Sequence, residues 1–447
     1  MPARTLCVDV GSTFTKACLV GPDGRLVGTA QAPTSLATDV MDGVRAAAAQ
    51  LGAVPDPHTL ACSSAGGGLR LAVVGYERQV TAEAAHRVGL SAGARVVHLA
   101  AGPLDDAATG ALHAAAPDLV LLAGGTDGGN DDVLRHNASA LAAAGLGVPV
   151  VVAGNVDARH LVLAVLEAAG QPVLPADNVV PQIGVIAPES ARAAIRTAFL
   201  RHVIGGKGLS VDPLFAQLVR APTPDAVLSG VEVLAAAMGD DVLVVDIGGA
   251  TTDVYSVVTP QGEDAGRRRE VVAAVRLART VEGDLGVRWN ADGIVAASRR
   301  EGLPVGSELV AYASEVAADP GRLPRTVGEG RLDLELARLA ALVAVRRHGR
   351  PASAGQDPRS LGAVRLVLGS GGVLQHADPA TAAEVVASVT ADHAGGWRVP
   401  RSPRTGVDTA YLLFALGLLA QPAPAVATRL ARLLADAGES GAPGRGG

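Results

Sequence analysis

LCVDVGSTFTKACLV (residues 6–20) and VLVVDIGGATTDVYSVV (residues 242–258) read as two copies of one device. Each is an apolar strand, then Asp, then a Gly/Ser/Thr turn, then a second strand. Strands are expected because apolar residues, Leu-Cys-Val and Val-Leu-Val-Val, run up to the Asp, and the glycine after it lets the chain double back. Such a turn brings backbone N–H groups and hydroxyls up to a phosphate from one side. Alone, the first copy also reads as an ordinary β-hairpin with a polar turn. The repetition points to a nucleotide held between two lobes.

The chain has 447 residues, more than one core usually holds, so two or more domains are expected. Hydrophobic residues make up 49% but aromatics only 2%, so the cores must be built from Ala, Val and Leu. The longest apolar runs, such as 161–166 and 242–245, fall far short of the ~20 residues a bilayer needs, and the first residues enter a strand without a signal-peptide pattern. A cytoplasmic protein with no membrane span is expected. A formal charge of −6 with no Lys/Arg tract interleaved with aromatics argues against a nucleic-acid partner, and Arg267, Arg268 and Arg269 read as a solvated loop. Cys7, Cys18 and Cys62 are odd in number and form no CxxC pair, so buried free thiols are expected.

From 6 to 30 the pattern is an antiparallel meander, followed by a helix at 42–50 and, at 61–68, a strand end with a glycine turn. Apolar runs at 96–99, 119–123 and 149–153, separated by Ala-rich segments of helical length, predict a small parallel-sheet subdomain inserted into the first lobe. Helices are expected after Ser190 and at 225–238, 292–300, 332–347 and 408–420, with strands at 271–277 and 364–374. The resulting division is a first lobe at 1–90, the insertion at 91–180, the rest of the first lobe with connecting helices at 181–239, the second lobe at 240–404, a return helix at 405–420 and a flexible tail at 421–447.

In the first copy Gly11 permits the tight turn, Ser12, Thr13 and Thr15 offer hydroxyl donors, and Lys16 places a positive charge for a β- or γ-phosphate. A carboxylate beside phosphates needs a divalent ion between them, so Asp9 is assigned to Mg²⁺ through water. In the second copy Asp246, Gly248, Gly249, Ala250, Thr251 and Thr252 repeat the arrangement. Asp246 takes the place of Asp9 and is the candidate to orient an attacking water or share the metal. Asp253 is a further candidate contact, or simply caps the turn. A third segment ends a strand in Gly369, Ser370, Gly371 and Gly372, a turn almost without side chains where a purine and ribose can approach backbone.

The order DxGST…K, DIGGATTD, LGSGG resembles the phosphate-one, phosphate-two and adenosine motifs of the actin/Hsp70/sugar-kinase superfamily. The wording VDVGSTFTK, LAGGTDGGND, GVIAPESARAAIR, VVDIGGATTDVYSV and RTVEGDLGVR is similar to the glutamate mutase accessory protein family (GlmL/MutL type), over about residues 6–420. The mismatch-repair protein sharing the MutL name is unrelated. The resemblance implies a two-lobed α/β fold of ribonuclease H-like type, ATP and Mg²⁺ as ligands, and an ATP-dependent chaperone that reactivates an adenosylcobalamin-dependent mutase by exchanging damaged cofactor. The alternative on the same fold is a small-molecule kinase, for which no sugar-kinase signature stands out.

Other readings fail on residues. The string Gly205, Gly206, Lys207, Gly208 lacks the first glycine and the hydroxyl of a P-loop, and Cys62 to Gly66 puts Cys where a hydrolase elbow needs Gly. The histidines form no HExxH pair. The string from Asp56 to Ala61 ends in Ala where a cobalamin-ligating DxHxxG needs Gly, and an iron–sulfur activator would need paired cysteines. The GGTDGG loop at 124–129 is expected to be a βα turn with Asn130 or Asp131 as helix cap, an anion or partner site being the alternative. EGDLG at 282–286 is left between nucleotide contact and plain loop.

Overall fold

A computed structural model of the chain describes residues 4–259, 276–351, 358–393 and 399–437. It forms two compact units, one of residues up to 229 with 417–422, the other of 230–260, 276–416 and the chain from 423. Arg267 to Arg269, most of the strand expected at 271–277 and the end of the chain past 437 lie outside the described residues.

The first unit contains β1 (Thr5–Val10), β2 (Phe14–Val20), β3 (Leu26–Pro33), β4 (Leu60–Ser63), β5 (Leu69–Gly75), β6 (Ala94–Ala101), β7 (Leu119–Leu122), β8 (Val150–Val152), β9 (Val173–Pro175) and β10 (Val219–Pro222). The first three strands are the expected meander, antiparallel throughout. β4 joins β1 in parallel and β10 joins β4 in parallel, giving the order β10-β4-β1-β2-β3. A parallel neighbour cannot be reached by a tight turn. The chain crosses to β4 through the helix Val40–Gln50, started by Asp39, whose carboxylate accepts from the N–H of Met41 at 2.8 Å. It crosses to β10 by way of the insertion.

That insertion takes in β5 and so begins before the expected residue 91; it is a parallel sheet of order β6-β5-β7-β8-β9. Side chains alternate across it. Leu71, Val73, Leu119, Leu121 and Val151 pack into the core shared with the meander, whereas Ala72, Val74, Val120, Leu122 and Val150 pack against Leu112, Leu134, Leu141, Val162 and Leu166 of the covering helices. Both faces are buried, which is why these strands read as unbroken apolar runs.

The second unit contains β11 (Val242–Ile247), β12 (Thr252–Val257), β13 (Leu277–Glu282), β14 (Leu366–Ser370) and β15 (Arg404–Val407), in the order β13-β12-β11-β14-β15. β11, β12 and β13 are antiparallel neighbours, and β14 and β15 extend the sheet in parallel. Leu336, Leu339, Ala340 and Val343 of the helix Val327–Gly349 fill the core beneath it. Strand order and direction repeat those of β10-β4-β1-β2-β3. The expected ribonuclease H-like α/β sheet is therefore present twice.

Three of the helical differences from the sequence reading have a visible cause. Ser190 does not cap its helix, which runs Glu189–Ala198; the Ser190 hydroxyl accepts from the N–H of Asp177 at 2.9 Å instead. The apolar helix expected from 408 is Leu413–Leu419, because the Asp408 carboxylate accepts from the N–H groups of Leu412 (2.9 Å) and Leu413 (3.1 Å) and so stands ahead of the first turn. Within 421–447, Pro424–Ala437 is a helix, its buried Ala427, Leu430, Ala431 and Leu434 recurring at the spacing of one helical face.

Candidate functional site

In the first unit the turn between β1 and β2 closes by a hydrogen bond from the Gly11 N–H to the Phe14 carbonyl at 3.1 Å. A Cβ on Gly11 would stand 2.8 Å from that same oxygen, so glycine alone lets the turn close. In the second unit the Gly248 N–H bonds the Thr251 carbonyl at 2.9 Å, and a Cβ on Gly248 would again stand 2.8 Å from it. The repeat is geometric as well as textual.

Not every expected donor lies on these turns. Ser12 and Thr13 are exposed, with the Ser12 hydroxyl 3.3 Å from the Ser64 carbonyl. Thr15 and Thr252, expected to meet phosphate, are fully buried. Strand alternation turns them inward: the Thr15 hydroxyl bonds that of Thr34 at 3.0 Å, and Thr252 donates to the Leu285 carbonyl at 2.7 Å.

Across the hairpins Asp9 stands opposite Lys16, and Asp246 opposite Asp253. Asp253 belongs to a buried ion pair with Arg279, at 2.9 Å from Nε and 2.6 Å from a terminal nitrogen. The guanidinium lies 5.7 Å from the Tyr255 ring centroid, and Thr251 donates to the same carboxylate at 2.9 Å. Asp253 is thus held by Arg279, a residue that sequence reasoning missed.

Asp9 is 6% exposed. Its Oδ1 accepts from the Thr223 hydroxyl at 2.5 Å and from the Cys62 thiol at 3.5 Å, while no hydrogen bond among the described residues reaches Oδ2. Burial pushes the Asp9 carboxyl up, opposed by the charge of Lys16 and by these two bonds. Mg²⁺ typically keeps several waters and takes one or two carboxylates. A buried carboxylate with one oxygen held by protein and the other unclaimed fits that demand, and Asp246 repeats its place. Among the described residues no group of three or more His, Cys, Asp or Glu converges on a metal position.

The stretch left undecided at 282–286 leads into a strap on the second loop. The N–H groups of Val287, Arg288 and Trp289 donate to the carbonyls of Gly248 (3.1 Å), Gly249 (2.9 Å) and Gly249 again (3.0 Å), and the Asn290 side chain to that of Ala250 (3.0 Å). A Cβ on Gly286 would lie 2.3 Å from the Ala250 carbonyl carbon. The strap engages the carbonyl side of the loop.

In the third segment Ser370 stands opposite Asp246, and Gly371 has φ 110° with space for no Cβ, the Ile247 carbonyl oxygen being 2.2 Å away. The first unit carries a counterpart. Cys62 stands opposite Asp9, and Gly66, Gly67 and Gly68 follow, all at positive φ. The glycine run was its signal.

The GGTDGG loop follows β7, where the insertion's strand order turns back on itself. Asp127 accepts from the Val156 N–H (3.0 Å) and the Asn178 amide (2.8 Å), Asp157 from the Gly128 N–H (3.0 Å). Asn130 rather than Asp131 bonds the first helical N–H, that of Asp132, at 3.0 Å, and Asp131 pairs with Arg135. The loop's polar side chains hold the loop.

A ribonuclease H-like sheet in duplicate, each copy with an Asp-x-Gly hairpin, defines a protein of the actin/Hsp70/sugar-kinase class. The chain belongs to the MutL protein family, which it matches over residues 5–433. Protein MutL of Clostridium tetanomorphum is 34% identical over 452 residues, spanning 95% of this chain and 97% of its own. Among solved structures, nucleotide-free acetone carboxylase aligns with 94% of this chain and 70% of its own at 14% identity and a TM-score of 0.40. A ROK family glucokinase from Streptomyces griseus, solved with glucose and AMPPNP, covers 97% and 100% at 12% identity and a TM-score of 0.31. Values this low add no argument to the strand order.

Proposed function

We propose that the Asp-x-Gly loops bind Mg·ATP, that the chain hydrolyses it, and that hydrolysis drives an accessory role in reactivating an adenosylcobalamin-dependent mutase. The observation that carries the nucleotide reading is the identical closure of the two hairpins at Gly11 and Gly248. In this reading backbone N–H groups of the Asp-x-Gly loops meet phosphate, Lys16 adds positive charge, and Asp9 and Asp246 are the carboxylates offered to Mg²⁺ through water. Asp246 also orients the attacking water, and the Gly371 turn receives the adenosine. Mg²⁺, when bound, neutralises phosphate charge. Loss of the γ-phosphate removes loop contacts and shifts the chain between two conformations with different grip on its partner.

The mutase partner comes from the family reading, and a cytoplasmic location is part of the same proposal. No helix among the described residues is long and apolar enough to cross a membrane. The test is a mutase inactivated with hydroxocobalamin, incubated with this protein, ATP and fresh adenosylcobalamin. Restored mutase activity is expected; no rescue, together with phosphate transfer to a metabolite, would overturn the reading in favour of a kinase. Asp9→Ala and Asp246→Ala are each expected to abolish ATP hydrolysis, and unchanged rates in both would refute the assignment.

A further inference from the structure

Three strand exits of the first unit meet at Asp9. It ends β1 one residue early, Cys62 stands beside it on β4, and Thr223 follows Pro222, the last residue of β10, to open the helix Thr223–Met238. Thr223 lies 214 residues from Asp9 in sequence, yet its hydroxyl is 2.5 Å from Asp9 Oδ1. The Cys62 thiol donates to the same oxygen at 3.5 Å and sits 3.8 Å from the Val8 carbonyl, so its hold is divided and weak. A short O–H···O⁻ bond is the strong member of such a set. The terminal torsion of an Asp side chain is broad and two-fold, so without that bond nothing of comparable strength fixes which oxygen faces the loop.

The second unit shows what the same strand exit does otherwise. After β15 stands Asp408, whose two oxygens accept from the N–H groups of Leu412 and Leu413. Its carboxylate caps the following helix. At this exit the second copy carries a helix-capping carboxylate where the first carries Thr223.

We infer that Thr223 is a positioning residue: its hydroxyl fixes the rotation of the Asp9 carboxylate so that Oδ1 is held by protein and Oδ2 is presented to the cation of Mg·ATP. This inference rests on the nucleotide reading above. Thr223 acts through Asp9 and touches neither nucleotide nor metal.

The test uses the full chain with Mn²⁺ as the metal probe. Mn²⁺ affinity of the protein–ATP complex is read by electron paramagnetic resonance, and ATP affinity is measured separately in EDTA. Thr223→Val, which keeps the shape and removes the hydroxyl, is expected to weaken Mn²⁺ binding by about tenfold or more, as loss of a hydrogen bond to a charged group does, with ATP affinity in EDTA unchanged. Thr223→Ser is expected to restore it. Should Thr223→Val fail to fold, Thr223→Ala carries the same expectation. Wild-type Mn²⁺ affinity in the hydroxyl-free variant overturns the inference, as does Thr223→Ser behaving no better than Thr223→Val, which assigns the effect to packing. A wild-type chain that binds no ATP with or without metal overturns the nucleotide reading itself.

Discussion

Replacing Gly286 by alanine tests whether the strap shapes the second loop. The added methyl would meet the Ala250 carbonyl carbon at 2.3 Å, its oxygen at 2.4 Å and the Gly249 oxygen at 2.6 Å, all of them backbone atoms that no rotamer change can move. Relief requires the strap to lift, and lifting it breaks the four bonds from Val287, Arg288, Trp289 and Asn290 to the loop carbonyls. At about 1 kcal/mol net for each, the expected loss is roughly 2–4 kcal/mol. For a unit of this size that is a fall in melting temperature on the order of 5–15 °C. Gly283, three residues earlier, has nothing within 4 Å of its Cβ position, so Gly283→Ala is the matched control and is expected to stay within about 1 kcal/mol of wild type. Thermal unfolding followed by circular dichroism reads stability, and titration with ATP reads the loop. Gly286→Ala melting together with Gly283→Ala, with unaltered ATP affinity, would refute the strap's role.

Two further outcomes follow from buried polar groups. His348 accepts or shares bonds with the Ser256 hydroxyl (2.8 Å) and the Thr280 hydroxyl (3.0 Å), and burial first, then the charge of Arg359, hold its pKa well below the usual value. The unfolded chain titrates near ~6.5 and therefore takes up the proton first, so this contribution is present above that pH and is lost as pH falls through it. Urea unfolding at pH 7.5 and 5.5 should show a stability loss on acidification that His348→Gln reduces; an equal loss in both proteins would sink the assignment. Arg279→Met leaves Asp253 buried without its partner and should cost about 3–5 kcal/mol, while Arg279→Met combined with Asp253→Asn should cost less. Denaturant titration of the double variant giving the sum of the two single losses would contradict a coupled pair.

The fold was legible where a few neighbouring residues determine the local structure. The unbroken apolar runs of β1 and β11, and the glycines that end them, mark the strands and turns of both hairpins, and the parallel insertion shows in the apolar runs of β6, β7 and β8. The site was legible only to the level of the loops. Whether a hydroxyl faces ligand or core depends on the pleat: Thr13 and Thr15 look alike in sequence, and one is exposed while the other is fully buried. Partners brought by strand pairing left no local trace. Thr223 and Asp9, or Arg279 and Asp253, become neighbours only once the sheets have formed. Asp408 shows the opposite case, since a polar residue beside an apolar run reads as part of the helix that it precedes.

The strap also gives the molecule an optical property. The chain has two tryptophans, and Trp289 places its backbone on the Gly249 carbonyl while the residue is 65% exposed. The other, Trp397, lies outside the described residues. Replacing Trp397 by phenylalanine leaves one indole emitter, seated on the turn assigned to phosphate. Stopped-flow fluorescence can then follow events at that turn in real time without an attached dye.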